Sequence, residues 1–437
     1  MSESNLPESK KAPAKKDGAG QVLESELLKE ATGGGSKNQS RLRRAGQALA
    51  VPVLALFTAL VIGGIFIVLT DPKFYVAWSV SVVAGLKEAA SILVVAYRSL
   101  FNGAVGNISE IIAALQSGDP EAIRKAFNPF FESLVAATPY IYGGLSVALA
   151  FRAGLFNVGA EGQIFIGAAC AAFAGYSLGW LPWFLQMPLA FLAGALGGAF
   201  WGFIPGWLKA KTGAHEVINT IMMNYIAFRF SDWLLTGPMK RPGSANPVSP
   251  FVTEAAKLPR LFDDPIRFHL GFFLALGMAW LVYWFLFRTR WGFDLRTVGA
   301  NPHAARYAGM VVSVTIILAM SLAGGLAGMA GGNEVLGVNY NLAMAFSSGY
   351  GFDSIAIALL GRSHPLGVVL AAILFGALRN GATQMQLVAG IPIDIISIFQ
   401  ALVLVFIATP AIIRTIYHLK PPAEGDEGIL VTSWGGN

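Results

Sequence analysis

Residues 152–163 read RAGLFNVGAEGQ. Apolar sequence closes in on both sides, TPYIYGGLSVALAF before it and IFIGAACAAFAGYSLGW after it. A charged, glycine-rich dozen residues thus separates two runs that approach the length a bilayer demands, about 20 apolar residues for a hydrocarbon core of ~30 Å. Such runs recur at about 49–69, 134–151, 162–179, 183–205, 217–236, 269–288, 309–330, 342–361, 366–387 and 393–415. The composition agrees, since 55% of the 437 residues are hydrophobic and 13% are charged, against about 25% charged in a soluble domain. The expected fold is all-α, a polytopic transmembrane helical bundle of about ten spans. A soluble protein with buried helices does not account for so many long apolar runs with so few charges.

Backbone N–H and C=O groups cannot be left bare in lipid, so the break at 152–163 has two readings. One is an interrupted or re-entrant membrane segment of the kind that builds sites in transporters. The other is a tight cytoplasmic turn between the second and third spans. Gly154, Gly159 and Gly162 permit the break in either, and Asn157 supplies both a donor and an acceptor. Glu161 is costly in hydrocarbon and needs a partner or water; Arg152 is one candidate. A second interruption, KAKTGAHEVINTIMMNYIAF at 209–228, brings Glu216, Asn219 and Asn224 to an apolar run. Glu216 and Asn219, three apart, share a helix face, as do Asn380 and Gln384, four apart. A third, at 331–365, mixes Gly, Asn and Ser with aromatics before Pro365, which suits a helix start. Asn157, Glu161, Glu216, Asn219, Asn224, Asn380 and Gln384 are the candidates for a polar translocation path. Hydrogen-bonding glue between helices is the competing reading for each asparagine. Glycine pairs four apart, Gly194/Gly198, Gly175/Gly179 and Gly324/Gly328, suit close helix packing.

Residues 1–45 read as a disordered cytoplasmic tail, 46–420 as the membrane domain and 421–437 as a polar tail. Within the membrane domain, 71–133 reads as largely extracytoplasmic, with one extra span as the alternative. Arg41, Arg43 and Arg44 before the first span, with the basic loops after the fourth and sixth, place both termini in the cytoplasm. The segment 237–268 fits this less well, because Lys240, Arg241, Lys257, Arg260 and Arg267 fall outside. The single cysteine, Cys170, forms no intrachain disulfide, and the five histidines show no metal-ligand spacing. No metal site is expected, and the charge of +6 is better explained by cytoplasmic loops than by nucleic acid. The sequence has no phosphate-binding GxxxxGK[ST] loop and no hydrolase signature. Nor does it suggest an Asp/Glu/His series at depth that would serve as a proton relay. Energy for active transport is therefore expected from another subunit.

Residues 288–310, RTRWGFDLRTVGANPHAARYAGM, form a short basic loop in which Asn301 suits an N-cap and Pro302 the first helical position. Together, AFRAGLFNVGAEGQIFIGA, KTGAHEVINTIMMNYIA, this loop and GYGFDSIAIALLGRSHPLGVVLAAILFGALRNGA resemble one family. It is the permease subunit of bacterial ABC importers for nucleosides and simple sugars, related to ribose-type and branched-chain amino acid permeases. The resemblance spans roughly 50–415 and leaves the first 45 residues unexplained.

The resemblance implies a multi-pass protein of the bacterial cytoplasmic (inner) membrane, with no catalysis and no cofactor of its own. ATP and Mg would be bound by a partner ATPase subunit. An extracytoplasmic binding protein would deliver the solute, and a second permease, identical or a distinct paralogue, would complete the route. The loop at 288–308 would be the cytoplasmic coupling element, with Gly299, Asn301, Pro302, Ala304, Ala305 and Gly309 at the ATPase contact and Ala304 and Ala305 permitting close docking. A branched-chain amino acid permease and a secondary transporter are the alternatives.

Overall fold

The computed structural model describes residues 37–392 and 394–418; most of the two polar tails lies outside these. The regular elements of the described residues are helices, joined by turns and by the irregular segment 237–268. Its helices are α1 (Lys37–Thr70), α2 (Pro72–Val80), α3 (Val82–Val105), α4 (Ile108–Ser117), α5 (Pro120–Arg152), α6 (Ala160–Ser177), α7 (Trp183–Thr212) and α8 (Glu216–Thr236). They continue as α9 (Gly271–Arg288), α10 (Arg290–Ala300), α11 (Pro302–Tyr307), α12 (Val312–Asn333), α13 (Tyr350–Leu360), α14 (Pro365–Ala389), α15 (Asp394–Ala408) and α16 (Pro410–Ile416).

Six of the described helices are long and apolar enough to cross a membrane, and a seventh span results if α3 and α4, bent by 42°, are taken together. Other apolar blocks form shorter or more polar helices for visible reasons. Glu161 and Gln163 sit inside α6; Glu216, Asn219, Asn224, Arg229 and Asp232 sit inside α8. The block at 342–361 is broken by its Ser and Gly residues, so that only the 11-residue α13 remains helical. The block at 134–151 is the second half of the 33-residue α5, whose helix already starts at Pro120 behind the Asp119 N-cap.

Two helices form the centre. Every residue of α5 from Ala137 to Ala150 is buried, and α6 is buried on nearly all sides. Such all-round burial of an apolar helix marks the inside of a bundle. α7, α9 and α3 stand outside and expose Leu192, Leu196, Phe200, Trp280, Trp284, Val83 and Val94, an apolar surface suited to lipid. Lipid gives no hydrophobic drive between helices, so close backbone packing must hold them. The glycine pairs provide it between α7 and α12. A Cβ at Gly198 would stand 2.3 Å from the carbonyl oxygen of Gly324, and one at Gly328 would stand 2.2 Å from that of Gly194.

The two ends of α9 separate two structured regions. At its C-terminal end lies the basic loop with α10 and α11. At its N-terminal end, 237–268 folds over the end of α12 as a cap. Ser249, Val252 and Leu258 donate backbone bonds to Leu342, Tyr340 and Leu336. Four of the five basic residues that sat poorly with the charge rule are engaged here: Arg267 pairs with Glu132, Arg260 with Asp264, Lys257 with Glu254, and Arg241 lies over the Phe251 ring.

Candidate functional site: a buried polar turn clamped to the basic loop

The stretch between α5 and α6 is neither an exposed turn nor a continued helix. Gly154, at φ +70°, ends α5 with the paired bonds of a glycine C-terminal motif: Leu155 N–H to Ala150 O and Gly154 N–H to Phe151 O, each 3.0 Å. The chain then runs into the protein interior, where Asn157 is fully buried, Gln163 is 1% exposed and Glu161 is 2% exposed. A buried irregular backbone must find partners, and side chains supply them. Asn157 and Gln163 exchange amide bonds of 2.9 and 3.1 Å. Asn224, reaching across from α8, accepts from Gly162 N–H at 2.8 Å and donates to Val158 O at 2.9 Å. It thus caps the first turn of α6 from another helix, satisfying one of the donors every helix start leaves open.

Glu161 sits where two helix starts meet. It belongs to the first turn of α6, and its carboxylate accepts from Gly351 N–H and Ser347 Oγ at the start of α13. The two backbones touch, for a Cβ at Gly351 would stand 2.2 Å from Glu161 N. Both helix dipoles present their positive ends to this carboxylate. Arg152 is not its partner. The glycine break carries α6 away from Arg152, whose guanidinium caps the other end of α13, donating to Ser363 O and Arg362 O at 3.0 and 3.3 Å.

A second group of polar residues, buried or half-buried, adjoins the first. Arg379 donates to Tyr140 OH at 2.9 Å, Tyr140 donates to Asp353 at 2.8 Å, and Arg379 lies 3.8 Å from the same carboxylate. The Tyr350 ring packs edge-on to Tyr140 and beneath Arg379. Glu334, 5% exposed in the π-turn Glu334–Asn339 that follows α12, lies within electrostatic reach of Arg379 and Tyr350. The region thus holds three carboxylates: Glu161 and Glu334 are buried and Asp353 is half-buried. Sequence reasoning missed Tyr140, Glu334, Tyr350, Asp353 and Arg379. The signal was present in Asp353 and Arg379, charges within apolar runs that demand a buried partner.

The remaining path candidates separate. Glu216 pairs with Lys209 at 2.8 Å where α7 gives way to α8, and Asn219 is half-buried beside it. Asn380 and Gln384 lie elsewhere, against α3. The Asn380 amide donates to Gly103 O, Pro129 O and Ser133 Oγ at 2.8, 2.9 and 3.2 Å, and Gln384 packs on Gly103.

The basic loop meets the polar turn through bare backbone. A Cβ at Gly299, in α10, would stand 2.3 Å from Arg152 O and 2.8 Å from Gly154 N; one at Gly154 would stand 3.0 Å from Gly299 Cα. Beyond this contact Asn301 caps α11, accepting from His303 and Ala304 N–H at 3.0 Å each, Pro302 occupies its first turn, and Gly309 at φ +82° leaves it. One expectation is corrected. Ala305 is fully buried and faces its own bundle, whereas Pro302, His303, Ala304, Arg306 and Tyr307 are exposed, Tyr307 at 94%. Of the residues of this short helix, Ala305 alone is buried.

The family described as branched-chain amino acid transport system / permease component matches residues 130–408. The chain belongs to this permease family. It is the membrane-embedded permease component of an ABC-type transport system, and the match takes in the polar turn, the buried charges and the basic loop. It is 38% identical to a guanosine ABC transporter permease of Bacillus subtilis over 77% of this chain and 93% of the relative. It is 37% identical to a glucose ABC transporter permease of Haloferax volcanii, over 64% of this chain and 75% of the relative. It is 35% identical to a nucleoside ABC transporter permease of Lactococcus lactis, over 65% of this chain and 80% of the relative. No solved structure matches the chain.

Proposed function

We propose that this permease passes a nucleoside or a simple sugar, delivered by an extracytoplasmic binding protein and driven by a partner ATPase that binds ATP and Mg. The relatives named for guanosine, nucleosides and glucose support the solute class. The observation that carries the coupling is the backbone contact of Gly299 with Arg152 and Gly154. The ATPase would dock on the exposed face of α11, at Pro302, His303, Ala304, Arg306 and Tyr307, and Ala305 would seat that helix on the bundle. Displacement of α10 and α11 would then press on the turn that carries Asn157 and Glu161. The proposed solute path runs beside the buried Asn157, Glu161 and Asn224 and the half-buried Tyr350, Asp353 and Arg379, whose amides, hydroxyls and charges suit a hydroxyl-rich solute. Asn380 and Gln384 serve as a brace between α14 and α3.

The basic loop would face the cytoplasm and the 237–268 cap the outside, in an inner membrane, with α6, α8 and the short α13 and α15 adding passes to the six or seven clear spans. The test is competition for uptake in cells that carry the complete transporter. Guanosine, glucose, ribose and leucine compete as unlabelled solutes; competition by nucleosides or sugars and not by leucine supports the reading, and competition by leucine alone overturns it.

A further inference from the structure

Beneath the outer cap, two polar side chains are buried without the bonds their atoms are built to make. Asn333, the last residue of α12, is fully buried, and neither its Nδ2 nor its Oδ1 has a partner. His269, two residues before α9, is 1% exposed. Its Nδ1 accepts from Gly271 N–H at 3.1 Å. Burial, and then the charges of Arg260 and Arg267, lower its pKa to about 4, so the ring is neutral. With Nδ1 an acceptor, the ring proton is on Nε2, and this buried N–H has no partner. The two side chains are neighbours. A Cβ at Gly271 would stand 2.0 Å from Asn333 Oδ1 and 2.7 Å from the His269 ring, and one at Gly337 would stand 2.7 Å from the same ring.

Unmade hydrogen bonds inside a protein are costly and uncommon. No protein group satisfies these atoms, so they are free to bond a water or a ligand. Their position favours a ligand. Glu334, the residue after Asn333 along the chain, is itself 5% exposed, so the subsite continues into buried polar sequence. They also lie where helix α12 passes into the π-turn, a local irregularity frequent at functional sites.

We propose that Asn333 and His269 form a hydrogen-bonding subsite at the outer end of the solute path, for an uncharged solute edge that carries an acceptor beside a donor. The acceptor takes a proton from His269 Nε2 or Asn333 Nδ2, and the donor bonds Asn333 Oδ1. The lactam edge of a nucleobase and the neighbouring hydroxyls of a sugar both have this chemistry. The proposal rests on the reading of the buried polar residues as the path.

Asn333→Leu, near-isosteric, tests it in the complete transporter reconstituted with its ATPase and binding protein. Thermal stability should hold or rise, because two unbonded atoms are removed, while KM for transport rises at least tenfold at an unchanged rate of ATP hydrolysis without solute. Guanosine and glucose, measured side by side, identify the edge by which KM rises. Wild-type stability with unchanged KM for the transported solute overturns the subsite. A drop in stability, or failure to assemble, also overturns it, because it shows that Asn333 holds the fold. If the wild-type complex transports neither solute, the underlying reading of the substrate class fails instead.

Discussion

Gly299→Ala tests the contact on which coupling depends. The added Cβ would stand 2.3 Å from Arg152 O and 2.8 Å from both Ala153 C and Gly154 N. Non-bonded carbon contacts settle at about 3.5–4.0 Å, so the two segments must part by roughly 1 Å. All three atoms are backbone, and no side chain can swing aside. Overpacking of this kind costs about 1–3 kcal/mol. If that energy acts on the link between α10 and the turn, it weakens coupling about 5–150-fold. The assay is the ratio of solute molecules taken up to ATP hydrolysed in proteoliposomes, with membrane yield and ATPase co-purification measured in parallel. The ratio should fall at least fivefold while hydrolysis continues. Gly277→Ala, on an open face of α9 with nothing within 4 Å, is the control and should leave the ratio unchanged. A wild-type ratio for Gly299→Ala would refute the reasoning, because the contact would then carry no force.

Other substitutions separate fold from function. Asn224→Leu leaves Gly162 N–H and Val158 C=O without their side-chain partner, which at about 1–3 kcal/mol each should lower the unfolding midpoint markedly; an unchanged midpoint would show that the turn finds other partners. Tyr307→Ala, at a 94% exposed position, should leave stability within about 0.5 kcal/mol and reduce co-purification of the ATPase, whereas Ala305→Trp should reduce membrane yield by overpacking the loop on its own bundle. Asn380→Leu removes three interhelical bonds and should lower thermal stability with KM unchanged; a raised KM at full stability would return Asn380 to the path. Ala300→Cys in a Cys170→Ser background should resist an impermeant thiol reagent in intact cells and react in inside-out vesicles, and rapid labelling of intact cells would reverse the orientation.

Much of this arrangement is legible in the residues themselves. A break at Gly154 and a helix start at Asn301-Pro302 are legible because each depends on residues adjacent in the chain. The glycines of α7 and α12 read as packing sites because in lipid only close approach holds helices together. What could not be read is which distant residues meet. Asn224 lies 62 residues from the Gly162 that it caps, and Arg379 lies 239 from Tyr140; no local spacing brings such pairs together. The sequence suggested Arg152 for Glu161 by proximity along the chain, yet helix starts from two segments hold that carboxylate. Ala305 was assigned outward by analogy with a docking element, whereas the short helix needs one face against its own bundle. Asn380 looked like a path residue because a polar side chain in an apolar run signals either transport or glue, and only its three partners distinguish them.

On the function proposed above, transport through this chain is driven by ATP hydrolysis on a partner subunit. The buried carboxylates Glu161 and Glu334, with half-buried Asp353, make a gradient-driven mechanism the alternative to exclude. The measurement is guanosine and glucose accumulation in proteoliposomes that hold this chain with its partner permease, ATPase and binding protein, under imposed proton or sodium gradients and with or without ATP. Accumulation that requires both ATP and the binding protein, and that no gradient supports alone, is the predicted result. Accumulation driven by a gradient in the absence of ATP would contradict the account.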